Sequence, residues 1–83
     1  MSVDKKEIEK GLFEIVAKVF KMEESDIKPE TRWEEDLHVK SVHGMKLAAF
    51  INYKFNIKLP MSKLVECDTM EDAVVMLDEF INN

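Results

Sequence analysis

Cysteine is nearly missing from this chain. Cys67 is the only one, which rules out an internal disulfide and fits a reducing, cytoplasmic setting. Proline and glycine are as scarce, two of each in 83 residues, too few to punctuate a fold of strands and tight turns. No apolar run approaches the roughly 20 residues that a membrane-spanning helix needs. The opening Met1-Ser2-Val3-Asp4-Lys5-Lys6-Glu7 lacks the apolar core of a secretion signal. A net charge of −5 disfavours nucleic acid as a partner, because binding the phosphate backbone takes clustered basic residues. These absences point to a single domain over residues 1–83, working as a cytoplasmic monomer.

Catalytic and metal-binding constellations are missing as well. His38 and His43 are distant in sequence from Cys67, which falls short of a zinc ligand set, so solvated or capping roles suit the histidines better. A Ser41–His43 nucleophile and base pair would need an orienting group and an oxyanion hole. Residues two apart on a helix also point to different faces. Cys67, near Val65 and Met70, reads as inert packing. The chain is not expected to be an enzyme and is expected to hold no metal.

What the sequence does contain is short amphipathic segments and an uneven distribution of charge. From Leu37 to Val65 there are five lysines (Lys40, Lys46, Lys54, Lys58, Lys63) and no acid. The remainder carries all seventeen acids against seven basic residues, so the two parts bear +5 and −10. Such a basic middle in an acidic chain calls for a functional reading.

The first helix is predicted to open at Asp4, with Glu7 completing a capping box, and to end near Met22. Ile8, Leu12, Ile15, Val16 and Val19 form its apolar stripe, flanked by Phe13 and Phe20. Residues 23–40 read as a long loop, since Pro29 breaks any helix there. Ile27, Trp33 and Leu37 are its apolar anchors, and Thr31 with Glu34 suggests one capped turn. A central helix follows over Ser41–Phe55, with Ser41 as its N-cap. Gly44, Leu47, Ala48, Ile51 and Phe55 share one face, taken as the interior. Val42, Met45, Ala49 and Tyr53 share nearly the opposite face, which either turns outward to a partner or folds back on the loop. Asn56 ends this helix. Ser62 is predicted to cap a short helix over Ser62–Glu66. Thr69 and Asp72 form a capping box before a last helix bearing Met70, Ala73, Val74, Leu77, Phe80 and Ile81. The fold class is therefore all-α, a small up-down bundle of three main helices plus a short one, with a long loop between the first and second.

The stretch Asp36-Leu37-His38-Val39-Lys40-Ser41-Val42, the apolar helix behind it and the closing Phe55-Asn56-Ile57-Lys58-Leu59-Pro60 together resemble the acyl carrier protein family. The resemblance runs from about Trp33 to Ile81 and more weakly through the first helix. It implies a 4'-phosphopantetheine arm on Ser41, attached by a phosphopantetheinyl transferase and contacted by Lys40, and an acyl group carried as a thioester. It implies an acyl pocket between the central, short and last helices near Ile51, Leu59, Leu64, Cys67 and Ala73. Met45, Met61, Met70 and Met76, with Ala48, Ala49 and Ala73, suggest an adaptable interior that opens around a ligand.

The chain also departs from that pattern. Family members usually read Gly-x-Asp-Ser-Leu where this chain has His38-Val39-Lys40-Ser41-Val42. Their central helix is typically acidic, whereas here the corresponding positions are Lys46, Asn52, Tyr53 and Lys54. A reversed docking charge excludes the usual partners. The expectation is a specialised carrier for lipid, fatty-acid or polyketide chemistry, engaging loading and transferring enzymes with acidic docking patches. Val42, Met45, Lys46, Ala49, Tyr53 and Lys54 are the candidate partner-binding residues. An aminoacyl or peptidyl carrier, and an unmodified helical adaptor, are the alternatives.

Overall fold

The amphipathic stripes of the sequence fold as helices packed on one another. In the computed structural model, which describes residues 3–82, these are α1 (Lys5–Phe20), α2 (Ser41–Phe55), α3 (Met61–Leu64) and α4 (Met70–Asn82), with a short 3-10 turn over Glu24–Asp26. The all-helical bundle expected from the sequence is what forms.

Asp4 caps α1 through its carboxylate, which accepts from the Lys6 amide at 3.1 Å. The helix stops at Phe20, earlier than Met22, because Lys21 turns left-handed (φ 54°) and its amide closes on the Ala17 carbonyl. Asn56 ends α2 in the same way, at φ 55°. The short helix begins one residue early, at Met61 behind Pro60, so Ser62 lies inside α3 and caps nothing. Proline suits a helix entry because its missing N–H would be unpaired there anyway.

Helix directions follow from the side-chain pairs. Gly11 lies against Lys54 and Phe55, Glu14 pairs with Lys54, Lys18 sits over the Phe50 ring, and Phe20 stacks on His43. Numbers rise along α1 as they fall along α2, so the two are antiparallel. Val3 and Asn82 exchange two hydrogen bonds, at 2.8 and 3.0 Å, so α4 also runs against α1. The 56–69 segment, with α3 in it, carries the chain back for this. A Cβ on Gly11 would lie 2.7 Å from Lys54 Cε and 2.9 Å from Phe55 Cζ. That close approach of α1 and α2 is the reason for a glycine inside a helix.

Ile8, Leu12, Ile15 and Val16 from α1 meet Leu47 and Ile51 from α2, Leu59, Leu64 and, from α4, Met70, Ala73, Val74 and Leu77 in a single buried core. Phe80, predicted for that stripe, is 39% exposed, while Ile81 beside it packs on the core. Met45 and Met61 are exposed too, as is Ala49, so the methionine-rich interior reduces to Met70 and the half-buried Met76.

The long loop is pinned by Ile27 and Trp33, both buried, with Leu37 half-buried. Thr31 does not cap a turn at Glu34; its hydroxyl reaches back to accept from the Lys28 amide at 2.9 Å. The backbone of the loop instead serves α4. The Met70 amide donates to the Thr31 carbonyl and the Glu71 amide to the Pro29 carbonyl, each at 2.9 Å. Asp72 donates to the Thr69 hydroxyl and its carboxylate accepts from the Thr69 amide, both at 3.2 Å, the capping box expected from the sequence. Trp33 joins in twice, its amide donating to the Asp68 carbonyl and its indole N–H to the Thr69 carbonyl at 3.0 Å.

Removing that ring should therefore be costly. Trp33→Ala is expected to lower stability by about 3–5 kcal/mol, and Trp33→Phe by about 1 kcal/mol for the lost indole hydrogen bond. Urea unfolding followed by circular dichroism checks both, and a Trp33→Ala change within about 0.5 kcal/mol would contradict the burial.

Candidate functional site

Ser41 is the first residue of α2, exposed, and not its cap. The cap position belongs to Lys40, extended at φ −122° and ψ 171°, whose side chain has no acceptor to offer. The helical ladder starts with the Gly44 amide on the Lys40 carbonyl at 3.0 Å. The amides of Ser41, Val42 and His43 find no protein acceptor among the described residues. Three free donors at the positive end of a 15-residue helix form a place for an anion. The start of α4 makes the contrast, since its amides are taken up by the loop and by Thr69.

Of the two histidines, His43 does the capping. Its Nδ1 accepts from the Lys40 amide at 3.1 Å, and its ring lies 4.5 Å from that of Phe20 on α1. His38 is exposed and left-handed, at φ 52°. It stands where the family pattern has glycine, and ends the turn that leads into Val39 and Lys40.

A cavity of about 460 Å³ opens beside Ser41, lined by Trp33, Glu34, Val39, Lys40, Gly44, Leu47, Met61, Leu64, Val65 and Cys67 as well as by Ser41 itself. It lies between the loop, α2 and α3. Of the five residues expected at an acyl pocket, Leu64 and Cys67 line it. Ile51, Leu59 and Ala73 sit instead in the closed core, at 0%, 3% and 0% exposure. Met61, expected in an interior that opens around a ligand, lines the cavity as well, while Trp33, Val39 and Val65 are lining residues that the sequence did not mark for this role. Gly44, one turn from Ser41, was the available signal: a Cβ there would lie 3.3 Å from Met61 Sδ, so its absence lets α3 come close.

Val42, Met45 and Tyr53 are 52%, 64% and 90% exposed, and Ala49 and Lys46 are exposed with them. This face turns outward and does not fold back on the loop. Two neighbours are engaged elsewhere. Lys54, a candidate for partner binding, pairs with Glu14 at 3.7 Å and lays its stem over Gly11, away from the start of α2. Asn52 is half-buried and clamps the backbone of Leu59, accepting from its amide at 2.8 Å and donating to its carbonyl at 3.2 Å. Asn52 thus holds the α2–α3 connection, where the sequence comparison had suggested a docking role.

Cys67 is half-buried, its Sγ 3.6 Å from the Lys63 carbonyl. Burial pushes the thiol up from 9.0 to about 11, with Asp72 and Glu66 adding to the effect. A group held protonated in this way is a poor nucleophile. Among the described residues no group of three or more His, Cys, Asp or Glu is placed to hold a metal ion, and no helix is long and apolar enough to cross a membrane.

Residues 10–77 match the family described as the phosphopantetheine attachment site. The chain is 32% identical over 74 residues to an acyl carrier protein of Acidothermus cellulolyticus, covering 89% of this chain and 88% of that one. A Micrococcus luteus acyl carrier protein is 31% identical over 74 residues, covering 89% and 91%. The meromycolate extension acyl carrier protein of Mycobacterium tuberculosis is 30% identical over 79 residues, covering 95% of this chain and 69% of that one.

The state of Cys67 can be tested directly. With its thiol raised from 9.0 to about 11, Cys67 should hold about a hundredfold less thiolate at pH 8 than an unperturbed cysteine. Alkylation by iodoacetamide, followed by intact mass, should be slowed by a similar factor and recover in urea. Because the folded chain disfavours the thiolate, stability should also fall as pH climbs from about 9 towards 11. Fast labelling of the folded chain would contradict both expectations.

Proposed function

Since the chain belongs to the phosphopantetheine attachment family, whose members named above are acyl carrier proteins, we propose that Ser41 is its attachment residue and that residues 1–83 form a single carrier domain. The observation that carries this reading is the open start of α2, where an exposed serine hydroxyl adjoins three unpaired amides and a cavity with many apolar side chains. Those features fit the two ends of the arm. A phosphodiester on Ser41 would meet the free amides and the positive helix end, with the Lys40 ammonium as a further counter-charge. When bound, the arm supplies a thiol that holds an acyl group as a thioester. Trp33, Val39, Leu47, Met61 and Leu64 would shield the apolar part of such a group from water, with Leu64 and Cys67 on the wall that α3 and the residues after it form.

The outward face of α2 is the docking surface in this reading. Val42, Met45, Ala49 and Tyr53 give it apolar contact, while Lys40 and Lys46 give it positive charge. A phosphopantetheinyl transferase and the loading and transferring enzymes would meet this face with acidic residues. The basic central segment departs from the acidic central helix of the family pattern, and supports a dedicated role in a specialised lipid, fatty-acid or polyketide pathway of the cytoplasm.

Two experiments test the reading. Co-expression with a broad-specificity phosphopantetheinyl transferase should add the mass of the arm to the wild type and to Ser62→Ala but not to Ser41→Ala; modification that survives in Ser41→Ala refutes the attachment site. Lys46→Glu should slow association with the native partner enzymes, mainly through the on-rate, and that effect should fade as added salt shortens the screening length below about 8 Å. Association rates that ignore both Lys46 and salt would leave the basic face without a role in docking.

A further inference from the structure

The start of α2 is organised by a residue that is neither its cap nor its serine. Lys40 occupies the cap position, and a lysine side chain cannot accept a hydrogen bond from the first turn. Three residues on, His43 reaches back and accepts from the Lys40 amide at 3.1 Å. That is the half of a capping box usually made by Glu or Gln at this place. The same ring packs on Phe20, the last residue of α1, with centroids 4.5 Å apart. One side chain thus ties the backbone just before Ser41 to the end of another helix.

We propose that His43 is the positioning residue for Ser41. Resting on the reading of Ser41 as the attachment site, the proposal is that the bond to Lys40 and the stack on Phe20 fix the first turn of α2 against α1. The serine hydroxyl is thereby presented in one orientation to the transferase. The arrangement compensates for Lys40. An aspartate there, as in the Gly-x-Asp-Ser-Leu pattern, would accept from the first-turn amides itself, and the histidine would then be dispensable. With Lys40 in place the first-turn amides stay open, and the His43 bond to the Lys40 amide is what anchors the turn.

The test combines amide exchange with modification kinetics on the full chain, using coenzyme A and a broad-specificity phosphopantetheinyl transferase read by intact mass. His43→Ala should speed hydrogen exchange of the Lys40 amide about five- to tenfold and lower kcat/KM for modification about tenfold, as the loss of one cap implies. His43→Gln keeps an acceptor at the same place and should restore both to within about twofold of wild type. In a Lys40→Asp background, adding His43→Ala should change kcat/KM less than about twofold, so the two positions are coupled in a double-mutant cycle. Phe20→Leu, which keeps apolar volume but removes the aromatic face, should slow modification about two- to threefold, and serves if His43→Ala does not fold. Unchanged Lys40 exchange and unchanged kinetics in His43→Ala overturn the proposal. So does His43→Gln behaving like His43→Ala, or a His43→Ala effect that is equal in both backgrounds. Modification that persists in Ser41→Ala would instead overturn the attachment reading, while Lys40 exchange would still report whether His43 makes the cap.

Discussion

The first turn of α4 needs acceptors for its amides, and the loop between α1 and α2 supplies two of them. Met70 and Glu71 donate to the carbonyls of Thr31 and Pro29, while the Thr69–Asp72 box satisfies the next position. A buried helix end without partners would be costly, so the loop cannot drift without exposing α4 to that cost. The constraint then propagates. With residues 29–33 held on α4, Trp33 is fixed under the loop with its indole N–H on Thr69. The turn after it, closed by the Val39 amide on the Trp33 carbonyl, delivers Val39, Lys40 and Ser41 to the start of α2. The wall of the cavity and the position of the serine both depend on hydrogen bonds made at another helix.

The starts of α2 and α4 are treated in opposite ways, a difference that bears on the proposed function. At α4 the amides are sealed by loop and box. At α2 they are left open beside an exposed hydroxyl, with one histidine steadying the backbone. An open helix start is a stability deficit that an anion can relieve, which suits the phosphodiester proposed for Ser41. The charge of the chain follows the same division. The segment around α2 and α3 is basic, while acids crowd the remainder, the polarity on which the proposed docking face rests. Lys54 stands apart, since its pairing with Glu14 commits it to the α1–α2 interface.

Much of this was legible in the sequence. Hydrophobic spacing placed α2 and its buried face, Asn56 marked its end, and Thr69 with Asp72 marked the start of α4, because periodicity and capping are local rules that nearby residues satisfy by themselves. The pairing of an exposed serine with an outward apolar face was also readable, since helical geometry alone separates Val42, Met45 and Tyr53 from Leu47 and Ile51.

Where the chain meets itself across distance, the sequence was silent. Position within the turn put Ser41 inside the helix and handed the cap to Lys40 and His43. That depends on Phe20, more than twenty residues away, being there to receive the ring. Asn52 looked like a surface residue until the return of Leu59 gave its amide two partners, and Lys54 looked free until Glu14 and Gly11 came beside it. The helices, their faces and the candidate serine were thus determined by local spacing and side-chain chemistry. The cavity, the histidine cap and the division of lysines between exposed and packed were decided only by tertiary contact, because each rests on which residues the antiparallel packing of α1 against α2 and α4 brings within hydrogen-bond or van der Waals reach.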